Sequence, residues 1–537
     1  MFREIEIMKK NRRGILLFSV LLILFLSFAV FIAGNEIESH ALQGQGTENS
    51  PYIIDSVSAL TEMRNLAVTQ GVYFKQTQNI TLSGQWTPIG TSSAPFRGSY
   101  DGGGFSINDL TITTARDYSG FFAYVGNSQN TTTIKNMSFN NINIYFTGSN
   151  NTNYYVGAVA AHVTGPVKIE NIKVESGKVG LANGAGIGKI GAIAGHFATS
   201  AFVLSASYNK AAISTNFGFA GGLVGSVISP SGGKISDSYN EGYITAAASN
   251  QSRTCVIGGI LGGIESGNGQ ITIEDCYNLG NLHSEFQSSN ISSTVGGIIG
   301  QNSMAKAGSN KAEIKSVFNA GEISSVSGAY LGGFIGSDTA CNISNSYSEG
   351  SINSASSNSI TGGIVGNTTD GNISNCYSKG EINGGAKTGG IAGVLGNGTI
   401  TDCVALNSKV SASLAGRIVG EKNTGGTLKN NYASGNMLNS GSNTAWSNKG
   451  FTNLDGQDIT ADVPYTFGFW TTNGNWNGGA WDEGIWVIKE GLLPTLKVFF
   501  KAVDLSAQEV DTGGGYVYNG GEINPIIKIG GTTLIKD

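Results

Sequence analysis

GGIVG, residues 362–366, is the stretch that decides how this chain folds, because the same phrase returns along more than half of its length. It reads GAVAA from Gly157, GAIAG from Gly191, GGLVG from Gly221, GGILG from Gly258, GGIIG from Gly296, GGFIG from Gly332, GGIAG from Gly389 and GRIVG from Gly416. Successive starts lie 34, 30, 37, 38, 36, 30, 27 and 27 residues apart, a drifting but unbroken internal repeat. Glycine costs entropy in regular structure and is kept where a side chain would clash or φ must be positive. The phrase therefore predicts a short buried strand bounded by tight turns.

A second phrase comes after each of these, and in the last full repeat it is NISNCYSKGEIN, residues 372–383. Its columns align. Leu204, Ile235, Ile273, Ile314, Ile343, Ile373 and Ile400 stand four residues before an aromatic column of Tyr208, Tyr239, Tyr277, Phe318, Tyr347 and Tyr377, which Val404 interrupts. A small or compact residue precedes the aromatic: Ser207, Ser238, Cys276, Val317, Ser346, Cys376 or Cys403. Gly242, Gly280, Gly321, Gly350 and Gly380 come next, and then, two residues later, Ile244, Leu282, Ile323, Ile352 and Ile382. Columns of equal size at such a period suit a solenoid, in which each turn buries its apolar face only against its neighbours. The segments are short, β-branched and alternating, so strands are expected. The fold class is all-β: a parallel β-helix with one repeat of roughly 27–38 residues per coil.

These phrases resemble the GLUG motif of bacterial cell-surface and secreted proteins, over about residues 47–497, with GGIVG and the CYSKG stretch as the most specific parts. The resemblance implies a β-solenoid whose motif is structural, so it carries no catalytic residue onto these positions.

Composition narrows the function. Charged residues are 13% of the chain, about half the usual share, and 80 Gly stand against 8 Pro. A net charge of −5 offers no basic stripe for nucleic acid. Residues 1–34 hold Arg3, Lys9, Lys10, Arg12 and Arg13 ahead of an uncharged apolar run, the pattern of a signal peptide or membrane anchor that exports the remainder of the chain. After a linker at 35–46, residues 47–115 read as an N-terminal cap and first coils. They begin with a strand and a short helix that has Ser58 as candidate N-cap and Leu60, Met63 and Leu66 on one face. Residues 116–435 are the repeats. Residues 436–500 read as an aromatic C-terminal cap, and 501–537 resemble the opening of an immunoglobulin-like module too short to be a full sandwich.

Trp470, Trp476, Trp481 and Trp486 fall within seventeen residues and are the candidate ligand-stacking site, as a platform for glycan rings. The competing reading, favoured by the gain from burying large rings and by similar endings in GLUG proteins, is a plug in the open end of the solenoid. Four His are present, with no HExxH pair; His162 and His196 come after glycine phrases and are expected at turns. Five Cys are an odd number, and the stacked Cys376 and Cys403 have parallel Cβ vectors, so buried free thiols are expected. The GxGxxG at Gly186–Gly191 lacks the helix and acidic partner of a dinucleotide site. Asp237, Asp275 and Asp402 share a column with Asn345 and Asn375, which suggests turn chemistry rather than an acid–base pair. The expectation is an exported surface scaffold or adhesin, not an enzyme. No cofactor or metal is expected, and the partner is an extracellular glycan or cell-surface protein. The alternative is a polysaccharide-degrading lyase or hydrolase.

Overall fold

One coil, residues 357–383, shows how the two phrases become architecture. Its four strands are Ile360–Gly362, Val365–Thr368, Asn372–Ser378 and Ile382–Asn383. Each pairs in parallel with its counterpart in the next coil, through Ile360↔Lys387, Val365↔Ala392, Asn372↔Thr399 and Ile382↔Val410. The first, second and fourth strands of successive coils build three ten-stranded parallel sheets, and the third strands join the N-terminal strands in a 22-stranded one. The chain is a parallel β-helix. Ten strands deep at about 4.8 Å per step, its repeat region is a rod of about 43 Å. The computed structural model describes residues 42–499 apart from 67–68, 127–129, 150–151, 183, 185, 200, 229–231, 248–252, 268, 286–292 and 305–310. Beyond residue 499 it describes only Val510–Asp511, Ile527–Ile529 and Thr532–Leu534, an antiparallel trio. The export segment expected at 1–34 and most of the tail module expected at 501–537 lie outside the described residues.

Glycine marks the corner between first and second strands, and the reason is proximity, since none of the three glycines of GGIVG has positive φ. A Cβ on Gly362 would lie 2.0 Å from the Val365 carbonyl oxygen of its own coil. One on Gly363 would lie 2.0 Å from the Gly390 carbonyl of the next coil, and one on Gly366 would lie 2.5 Å from the Gly336 carbonyl of the preceding coil. The second position is Ala at 158 and 192, Gly at 222, 259, 297, 333, 363 and 390, and a long side chain in GRIVG. In GRIVG it is Arg417, in the last coil, where no further coil lies above it. Its guanidinium is fully buried and donates to the carbonyls of Ser434 (3.0 Å) and Gly456 (3.3 Å), with Asp458 at 2.6 Å.

The third strand carries a left-handed kink. Asn345, Asn375, Asp237, Asp275 and Asp402, with their equivalents from Asn136 to Asn430, all hold φ between 48° and 56°. Asn and Asp tolerate this conformation better than other side chains. The kink slips the strand alternation by one, so Ile373 and Cys376, three residues apart, both face inward. It also frees backbone groups, which the Ser/Cys column satisfies: Ser207, Ser238 and Ser346 donate to carbonyls two residues back at 2.6–2.7 Å, and Cys376 does so at 3.1 Å. All five thiols are free and buried, and burial raises those of Cys255, Cys276, Cys341 and Cys403.

Next to the aromatic column runs a buried ladder of amides. Asn209, Asn240, Asn278 and Asn319 are wholly inside, and each of the first three side-chain amides donates to the next coil's at 2.8 Å. Each also bonds the carbonyl two residues on at 2.8–3.0 Å, so each amide nitrogen is satisfied within the core.

At the N-terminal side the helix Val57–Leu66 buries Ala59, Leu60 and Met63 into the solenoid core. Its cap is Ser56, whose hydroxyl accepts from the Ala59 N–H at 3.1 Å, and not Ser58. At the far side, the Leu454 carbonyl takes the N–H groups of Ile418 and Val419, the bonds a further coil would supply. Met437, Trp446 and Leu454 complete the core there. No described helix is long and apolar enough to cross a membrane.

Candidate functional site

The aromatic column faces outward and forms a continuous rail. Tyr208, Tyr239, Tyr277, Phe318, Tyr347 and Tyr377 stack with ring centroids 4.6–5.2 Å apart and planes within 14° of parallel. The coil pitch, close to the thickness of a ring, makes each residue the platform for the next. Along the rail's C-terminal half lies a strap, residues 463–499, built from the short helix Phe467–Thr471, three single helical turns and the hairpin strands Trp486–Val487 and Thr495–Leu496.

The four candidate tryptophans come together in this strap. Trp470 and Trp481 are 4.4 Å apart, Trp481 and Trp486 4.6 Å, and Trp470 and Trp476 5.6 Å. At most 5% of any of them is exposed, so none offers a free face to a sugar. They do not plug the solenoid's end either. Trp486 packs on Tyr347 and Tyr377, Trp476 and Phe469 on Tyr432, and Phe499 edge-on to Tyr277 and Phe318. This is a second hydrophobic cluster, separate from the solenoid interior. Residues 436–459 already close the end, whereas the outward strip Tyr347, Tyr377, Val404 and Tyr432 would face water if the strap did not cover it.

Polar contacts fix the strap in register. The Tyr377 hydroxyl donates to the Pro494 carbonyl at 2.9 Å and the Tyr432 hydroxyl to the Asn475 carbonyl at 2.7 Å. Asp402, buried here, accepts from the backbone N–H groups of Asn477 (2.7 Å) and Gly478 (3.0 Å). Beyond the strap the rail opens into a cavity of about 540 Å³ lined by Asp237, Tyr239, Asp275, Tyr277, Leu279, Phe318, Val498 and Phe499. Burial, with Glu274 and Asp237 close by, holds the Asp275 carboxyl above its ordinary range. The acidic column that reads as turn chemistry thus sits at strand kinks and lines this opening.

A second polar group lies beside the glycine corner, on neighbouring first and second strands. His162 and His196 are cross-strand neighbours on second strands, not at turns, with rings 5.2 Å apart. Tyr118, Tyr124 and Tyr155 pack around His162 at 4.6–5.8 Å. His196 Nδ1 is 2.8 Å from the Ser226 hydroxyl, and Lys189 pairs with Glu265 at 2.6 Å across the corner. Burial, reinforced by Lys189, lowers His162 to about 4 and His196 to about 2, so both rings are neutral at pH 7. Strand alternation from the core residue Phe197 could have revealed this, since it turns the neighbouring His196 away from the interior.

Among the described residues no group of three or more His, Cys, Asp or Glu is placed to hold a metal ion. The GxGxxG stretch lies on the strand Ile187–Gly191, paired with Phe217–Gly221, and forms no phosphate-binding turn. Asp338 is a buried acid of the repeats, accepting from Asn302 at 2.8 Å and Thr368 at 2.7 Å. Its burial raises it to about 6.

The chain is similar to known proteins over parts of its length. Over 179 residues, 32% of this chain, it is 28% identical to a chain of Evansella cellulosilytica described as a Gly-rich membrane protein. The match spans a fifth of that relative's length. Among solved structures, a chain from Bacteroides ovatus described as an immunoglobulin A1 protease aligns with a TM-score of 0.30 and 16% identity, over 85% of this chain and 94% of the other. The GLUG motif matches residues 357–383, the coil described above, so the chain is a β-helical protein bearing the GLUG motif.

Proposed function

We propose that this protein is an exported, non-catalytic β-helical adhesin or display scaffold that meets an extracellular glycan or a cell-surface protein along its flank. The observation that carries the reading is the outer surface itself, on which one chemistry recurs over successive coils: stacked rings from Tyr208 to Tyr377, αL carboxylates and amides at most kinks, and polar columns in register. A surface with translational repeat suits an extended partner. The acids support the same reading because many serve the fold. Glu274 lies between Lys234 (2.5 Å) and Lys315 (2.8 Å), and Asp402 holds the strap. Binding of the purified protein to immobilised glycans and to intact cell surfaces, without release of product, tests it; absence of binding to either class would sink it.

A second reading, a polysaccharide lyase or hydrolase, is favoured by one observation. Asp237 and Asp275 lie on adjacent coils beside Tyr239 in the open cavity, with Asp275 raised, and glycoside cleavage uses two nearby carboxylates of which one keeps its proton. New reducing ends or unsaturated products from acidic polysaccharides, lost in Asp275→Asn, would establish it over the first.

A further inference from the structure

We propose that the open end of the rail, at Asp237, Asp275 and Tyr277, docks a polypeptide segment carrying a basic residue, an aromatic ring and two consecutive free backbone N–H groups. It rests on the scaffold reading above and names the partner of one part of the flank. The protein shows on itself what such a surface takes. Beneath the strap, the Asp402 carboxylate of one coil accepts from the N–H groups of Asn477 and Gly478, while the Tyr432 hydroxyl of the next coil donates to the Asn475 carbonyl. Between these contacts the Trp476 ring lies edge-on to Tyr432 at 5.3 Å. The receptor is therefore a kink carboxylate and, one coil on, a rail tyrosine.

Asp237 and Tyr277 occupy the same two columns, one coil apart. Asp237 holds φ 51° and Asp402 φ 54°, so the two carboxylates leave the backbone alike. One difference is exposure: Asp402 is buried under the strap, Asp275 is half-buried and Asp237 is exposed. The opening adjoins the strap at Val498 and Phe499, so an incoming segment would extend a contact the molecule already makes.

The other difference names the charge. Beneath the strap the intervening kink residue is Asn430, whose amide donates to the Asn475 carbonyl at 2.6 Å. In the open copy it is Asp275, which can only accept while ionised, so the partner must bring an additional donor. Lys234 and Lys315 lie close by but both pair with Glu274, so Asp237 and Asp275 leave a net negative charge that favours a cation there, and a charge-assisted hydrogen bond is the stronger kind.

The test uses the full-length protein and a fluorophore-labelled peptide, acetyl-Lys-Trp-Asn-Gly-Gly-amide, monitored by fluorescence anisotropy. Saturable binding is expected, weakened about tenfold or more when Asp237→Asn and Asp275→Asn are combined, and by a similar factor when the peptide lysine becomes glutamate. Both substitutions should leave thermal unfolding unchanged, because Asn already occupies this kink at 345 and 375. No saturable binding, binding indifferent to the double substitution, or a neutral oligosaccharide displacing the peptide would overturn the proposal. If the peptide fails while glycans or cell surfaces still bind, only this docking site falls and the scaffold reading stands.

Discussion

Single glycines of the corner leave no room for a side chain, and they set its tolerance. A Cβ on Gly333 would sit 2.0 Å from the Gly363 carbonyl, a backbone atom that cannot swing aside. Gly333→Ala should therefore lower stability by about 3 kcal/mol or more, read as a drop in the midpoint of denaturant unfolding, and an effect below about 1 kcal/mol would refute the clash. Asp338 gives a pH-dependent counterpart. Its carboxyl is raised to about 6 in the folded state from an ordinary 3.8, so folding favours its protonated form, and the stability it confers is lost as pH rises from about 4 through 6. Asp338→Asn should thus stabilise the protein at pH 8 by up to about 2 kcal/mol and by little at pH 4, measured as thermal midpoints at both. At this scale the sequence was informative where a column repeats: the Ile, aromatic and Cys columns all stack as their spacing suggests. The buried amide ladder was equally visible, as Tyr-Asn at 208–209, 239–240 and 277–278, yet polar type argued for surface. Only the structure shows each amide satisfied by its neighbours.

Elements divide into those that repeat and those that finish the rod. The repeating strands were legible because a column can be checked many times over, whereas residues 436–500 occur once and carry no register. Composition marked their aromatic rings for burial and left the surface they bury undetermined. They serve two separate purposes, closure of the end by 436–459 and cover of the rail by 463–499. The strap should consequently be removable without loss of the solenoid. Trp470→Ala is expected to weaken the strap by about 3–5 kcal/mol and to make the chain between 460 and 499 protease-sensitive, while the β-sheet circular dichroism signal survives. Collapse of that signal along with the strap would show that the two fold as one unit. His162 and His196 illustrate another limit of sequence: nearness to a glycine phrase suggested turns, but the corner is so tight that the strand resumes at once.

For the molecule as a whole, stability is a sum over neighbouring coils, so a local weakness has a local address. The two buried histidines lie in the N-terminal half of the rod. Their folded pKa values are lowered from 6.5, so the stability gained by keeping them neutral is complete above about pH 6.5 and is lost as pH falls toward 4. Hydrogen exchange at pH 5 against pH 7 should show the coils around 154–228 opening first, by up to about 3 kcal/mol of lost protection, after correction for intrinsic exchange rates. Uniform loss along the rod would contradict this.

Arg417 has a consequence for how such rods grow. Each coil from Gly222 to Gly390 carries hydrogen where the next coil's carbonyl must pass, and the arginine that ends this series acts as a stop codon written in volume. Lengthening the protein then requires no redesign of either terminus, only a duplication inserted before this residue. Conversely, moving the arginine one unit earlier would forbid every later coil.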